Sequence, residues 1–114
     1  MKTDAGQTAA LADFQFLQKA LGSKSIVAAL FGLHRSTVGR WHRHKPDPKN
    51  EMKIAALRFI LLKLLALYRP ETAQKWLLGI NAFLGDQRPL DLIKQNRIVE
   101  VLSAIEQEEA GGYA

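Results

Sequence analysis

Lys24 to Arg43 reads KSIVAALFGLHRSTVGRWHR, and the spacing of its small and apolar residues decides how the front of the chain folds. Ala28 puts a small side chain where two helices must cross closely. Gly32, four residues on, tolerates the positive φ that a tight turn requires. Val38, six further, falls on the inner face of a second helix. Val27, Phe31, Leu33 and Trp41 complete an apolar set that locks the two helices together. Together these positions predict a helix-turn-helix of the kind that reads DNA.

Outward from that stretch, apolar spacing is helical throughout and no strand signal stands out, so the expected class is all-α. Leu11, Phe14, Leu17 and Leu21 share one face of a first helix over about 8–21, ended by Gly22. Ser23 is an N-cap candidate for the second helix, whose Ile26, Val27, Leu30 and Phe31 point inward. The third helix is expected from Arg35 to His42. Lys45-Pro46-Asp47-Pro48 disfavours helix and marks a boundary, giving a three-helix unit over 1–49 and a helical domain over 50–114. A long helix from Glu51 to Tyr68 follows, with more apolar positions than one small core needs. Its surplus, Leu62 and Leu67, points to a place between the halves or to a homodimer face. Pro70 opens the next helix, with Trp76, Leu77 and Ile80 as its stripe. A loop from Asn81 to Pro89, an apolar turn at Leu90, Leu92 and Ile93, and a last helix over about 95–109 complete the chain. Ile98, Val99, Leu102 and Ile105 are expected on that helix's inner face.

At 114 residues with a net charge of +5, the chain can bury a real core. Residues 1–50 carry eight Lys and Arg against three acids, Asp4, Asp13 and Asp47; residues 51–114 are balanced at eight against eight. A polyanion is therefore expected at the front and a different partner behind. There is no cysteine, which excludes disulfides and thiolate metal sites and suits a reducing cytoplasm. The start, MKTDAGQTAA, lacks the apolar core of a signal peptide. The most apolar run, Ile54 to Tyr68, is broken by Arg58 and Lys63 and is too short for a bilayer of roughly 30 Å, so no membrane role is expected.

A recognition helix presents donors to base edges and phosphates from its outer face and first turn. The candidates are His34, Arg35, Ser36, Thr37, Arg40, Arg43 and Lys45. Arg35 and Arg40 suit base reading, because a guanidinium binds O6 and N7 of guanine together; Arg43 and Lys45 suit phosphates. Ser36 and Thr37 serve equally as phosphate contacts or helix caps. Gly39 is read either as a close approach to the sugar-phosphate chain or as simple exposure. Trp41, at helical spacing from Val38, is read as core. His34, His42 and His44 lack a fourth ligand at a workable spacing, so no metal is expected.

The run from Lys75 onward holds no catalytic constellation. Glu106, Glu108 and Glu109 are read as a solvated acidic helix end, and no cofactor or enzymatic activity is expected. Trp76-Leu77, Asn81, Leu84-Gly85 and Pro89-Leu90-Asp91-Leu92, followed by an apolar-periodic helix, resemble the toxin-binding domain of the Xre/MbcA/ParS-type antitoxins. Two positions depart from that family's pattern: Ile80 stands where Pro is common, and Asp86 where a second Gly is common. The resemblance implies an antitoxin of a type II toxin–antitoxin system that neutralises an NAD-consuming RES-domain toxin by covering its active-site cleft, and that binds operator DNA to repress its own operon. It implies toxin-binding roles for Trp76, Asn81, Leu84, Gly85, Pro89 and Leu90, and for the tail Gly111, Gly112, Tyr113 and Ala114. In that tail the glycines would give reach, the tyrosine would stack, and a terminal carboxylate would meet a basic pocket. The alternatives are a stand-alone helix-turn-helix regulator whose rear half only dimerises, and a scaffold protein that has lost its DNA.

Overall fold

A computed structural model describes residues 5–111, and every regular element among them is a helix. In chain order these are α1 (Ala5–Leu21), α2 (Lys24–Phe31), α3 (Arg35–Gly39), a 3-10 turn (Arg40–His42), α4 (Pro48–Leu67), α5 (Pro70–Leu78), a second 3-10 turn (Ala82–Leu84), α6 (Pro89–Lys94) and α7 (Ile98–Glu109). An antiparallel bridge pairs Asn81 with Gln87. The chain divides into two compact units, Met1–Phe59 and Ile60–Ala114. The division falls inside α4, ten residues past position 49, because the first turns of α4 are fastened to the front unit. There the Arg58 Nε lies 3.1 Å from Asp13 Oδ1, and the Lys53 amine lies 5.4 Å from the centre of the Phe31 ring.

In the first unit, local chemistry sets the helix ends. Ser23 Oγ accepts from the amides of Ser25 and Ile26 at 3.1 and 3.4 Å, filling two of the vacant positions at the start of α2. Gly32 ends that helix at φ 66°, where a Cβ would be costly. Phe14, Leu17, Leu21, Val27, Leu30, Val38, Ile54 and Leu57 are almost fully buried. Trp41 meets Phe14 and Phe31 edge-on, with centroids 5.7 and 5.0 Å apart. This accounts for α3 stopping at Gly39, short of the expected His42. Glycine is a poor helix former, and the tighter turn carries Trp41 into the core between the two phenylalanines. The start of α4 also differs from expectation: Asp47 Oδ1 accepts from the Asn50 amide at 2.9 Å, and Pro48 takes the first helical position, where its missing N–H costs nothing.

In the second unit the core is Ile60, Leu61, Leu64, Leu77, Leu92, Ile93, Val101 and Ile105. Two expected core residues lie at the surface. Val99 is 76 % exposed, and α7 buries Val101, Ala104 and Ile105 instead; Ile80 is 75 % exposed and lies beyond the end of α5. Leu62 and Leu67 are also exposed, as are Met52 and Phe59 on the same helix.

Candidate functional site

The basic face of the first unit is built on α3 and the turn after it. His34, Arg35, Ser36, Arg40 and Arg43 are exposed there, and Thr37 is half-buried. His34 acts locally. Its Nδ1 accepts from the Ser36 amide at 3.1 Å and lies 2.8 Å from Ser36 Oγ, so His34, not Ser36 or Thr37, caps α3. Arg35 is the first residue of α3. Arg40 belongs to the 3-10 turn and not to the helix expected to carry it. Ser36 and Gly39 are shared by two surface depressions, one edged by Arg40, His42 and Arg43, the other by Lys24, His34 and Arg35. A Cβ added at Gly39 would meet nothing within 4 Å. The His42 ring packs edge-on to Phe14 at 5.1 Å. Lys45, expected on phosphate, is 3.5 Å from Glu51 Oε2, which offsets part of its charge.

Sequence reading missed Lys53. Its residue is buried among the first unit's apolar side chains, with the ammonium over the Phe31 ring. Burial, with a smaller effect from the charge of Lys49, lowers it from 10.5 to about 8. The folded chain thus releases this proton before the unfolded chain does. Stability should rise as pH climbs from about 8 toward 10.5, because the unfolded state then binds more protons. Lys53→Met should stabilise the chain near neutral pH by about 1–2 kcal/mol and flatten that alkaline rise. Thermal melts at about pH 7 and about pH 9.5 measure both effects; a wild-type melt that falls over this range would sink the assignment.

The second unit presents a different surface. Asn81 closes a tight loop on itself: its Oδ1 accepts from the Phe83 amide at 2.9 Å, its N–H donates to the Gln87 carbonyl at 3.0 Å, and its carbonyl accepts from the Asp86 amide at 2.9 Å. Gly85 and Asp86 are both left-handed, at φ 67° and 62°. This explains why glycine suits both positions, and aspartate is among the few side chains that tolerate this region. The backbone path is thus kept despite the departure at Asp86. After the loop, Arg88 Nε and Nη2 each reach an Asp91 oxygen at 2.9 Å, and that bidentate hydrogen bond holds the Asp91 carboxyl below its ordinary range.

Of the residues assigned to a partner, Leu84, Pro89 and Leu90 are buried and shape the loop. Trp76 and Asn81 are half-buried and line a cup of about 380 Å³ with Lys75, Ile80, Phe83 and Glu108. Gly85 is exposed. Gly111 is left-handed at φ 71°; Gly112, Tyr113 and Ala114 lie outside the described residues. The acidic end of α7 is not simply solvated. Glu108 accepts from the Tyr68 hydroxyl at 2.9 Å and from Trp76 Nε1 at 3.3 Å, while Glu109 pairs with the Lys63 amine at 3.4 Å. Ile80 and Phe83, 75 % and 53 % exposed, form the apolar rim; Ile80, assigned to the α5 core stripe, and Phe83 were both missed as surface residues.

No family model matches the chain. Over 87 residues it is 32 % identical to Rv3188 of Mycobacterium tuberculosis, named as a probable mycobacterial cidal antitoxin, a match that spans 76 % of each protein. Among solved structures it is similar to a chain of the M. tuberculosis MbcT–MbcA toxin–antitoxin complex, with a TM-score of 0.75 and 20 % identity, covering 89 % of this chain and 94 % of that one. At that identity the likeness is one of fold.

Proposed function

This chain belongs to the mycobacterial cidal, MbcA-type antitoxin family, and from that membership we propose that it neutralises a RES-domain toxin that consumes NAD and that it binds operator DNA to repress its own operon. The observation that carries the reading is the kinship to a mycobacterial cidal antitoxin over three-quarters of the chain. Two surfaces of unlike chemistry support it. Exposed Arg35, Arg40 and Arg43 suit a polyanion, whose phosphates dominate affinity. The Trp76, Ile80 and Phe83 rim suits a protein, because exposed aromatic and aliphatic side chains on a rigid support are what interfaces bury. No described helix is long and apolar enough to cross a membrane. The exposed Leu62 and Leu67 of α4 suit a homodimer, the form in which small DNA-reading modules grip two half-sites.

In this mechanism the second unit packs beside the toxin's cleft and the segment from Gly111 onward covers it. Co-expressed with the RES-domain enzyme of its own operon, the chain should copurify with it and suppress NAD consumption. A chain ended at Ala110 should copurify but release most of that activity. A fully active enzyme recovered beside the full-length chain would overturn the reading; full suppression by the shortened chain would remove the tail from it.

A further inference from the structure

Resting on that toxin pairing, we infer that the cup in the second unit receives an arginine side chain of the partner enzyme, its stem against Trp76, Ile80 and Phe83 and its guanidinium on the Glu108 carboxylate. The cup is mostly apolar at its rim yet carries a carboxylate among its lining groups. Both hydrogen bonds that hold Glu108, from the Tyr68 hydroxyl and from Trp76 Nε1, come from neutral donors, which orient the group and leave its negative charge in place. An acidic occupant is repelled by that charge, and a purely apolar one would strip water from it without replacing the lost hydrogen bonds. A long apolar stem ending in a cation satisfies both parts of the surface. Arginine fits better than lysine, because its planar, weakly hydrated head stacks on aromatic faces and two such rings, Trp76 and Phe83, are present.

The other polar groups bound the choice. Asn81 Oδ1 is spent on the Phe83 amide, Gln107 adds only a neutral amide, and the Lys75 cation offsets part of the Glu108 charge, so the cup suits one guanidinium and not a cluster. The rim is also stiff. Ile80 precedes the closed 81–87 loop, and Phe83 lies on its 3-10 turn, so little ordering is lost on binding.

The test uses the full chain and the RES-domain enzyme, with affinity measured by titration calorimetry across a range of salt. Glu108→Gln keeps an oxygen to accept from Trp76 Nε1, reverses the Tyr68 contact so that the amide donates to the hydroxyl oxygen, and removes the charge. It should bind about tenfold or more weakly, with a flatter salt dependence, while the chain still melts as one cooperative, helical fold. Ile80 is so exposed that its replacement cannot unfold the chain, and it tests the sign of the occupant. Ile80→Arg should weaken binding by about tenfold, whereas Ile80→Glu should hold or tighten it. Equal loss with both charges at position 80, or a Glu108→Gln chain that binds like wild type with the same salt slope, would overturn the arginine assignment alone. Failure of the wild-type chain to bind the enzyme at any salt would overturn the antitoxin reading along with it.

Discussion

Trp41→Ala is expected to destabilise the first unit by about 3–5 kcal/mol, the usual cost of removing a large buried aromatic. The indole is 7 % exposed and fills the space between Phe14 and Phe31, which it meets edge-on at 5.7 and 5.0 Å. The cavity would open between the last turn of the basic face and the helices beneath it. Little nearby can collapse into it, because Phe14 is also held against His42 and Phe31 lies under the Lys53 amine. A small domain is stable by only about 5–15 kcal/mol, so this single change removes a large share of the margin. Denaturant unfolding followed by circular dichroism reads the loss. Trp41→Phe, which keeps an aromatic body, should recover more than half. A Trp41→Ala chain with an unaltered midpoint would mean that the indole is not a structural wedge.

Replacing Arg35 and Arg40 together by alanine is expected to weaken operator binding by about 2–6 kcal/mol, since each base-reading arginine typically contributes about 1–3. The two sit differently: Arg35 opens α3 beside the His34 cap, and Arg40 starts the 3-10 turn that follows Gly39. If both read guanine, the loss should be large on the operator and small on random DNA, which compresses the specificity ratio. Arg43→Ala should weaken both alike and shallow the salt slope by about one ion. Lys45→Ala should do less, because Glu51 already offsets part of that charge. Fluorescence titrations against operator and scrambled duplexes at several salt concentrations separate these cases. Unchanged operator affinity in the double variant would dismiss α3 as the reading element.

How far the fold could be read from sequence follows the range of the interactions involved. Ser23 and Gly32 were legible because a cap and a left-handed stop act within a few residues of themselves. The all-helical class was legible from spacing alone. The end of α3 was not, because Trp41 leaves the helical path for rings that lie 10 and 27 positions earlier in the chain. Val99 misled for a different reason: α7 starts at Ile98, and the phase of its apolar face is set by Val101, Ala104 and Ile105, which leaves Val99 pointing outward. Lys53 was hidden because a lysine beside Ile54 scores as polar whichever way it points. The most instructive miss is Glu108. Three acids at a helix end look like a solvated cluster, and only contacts to Tyr68 and Trp76, 40 and 32 residues away, show that one of them is fixed in place.

The self-closing loop at Asn81 has a consequence for survival. A protease must draw several residues of chain into extended form before it can cut, and exposed loop tips are where it usually succeeds. Here the segment from Asn81 to Gln87 is bridged across its own ends and passes through two left-handed residues, so straightening it means breaking its own bonds first. The chain can therefore carry the outward apolar side chain of Phe83 within this loop, and that of Ile80 just before it, in a place that digestive enzymes find hard to grip.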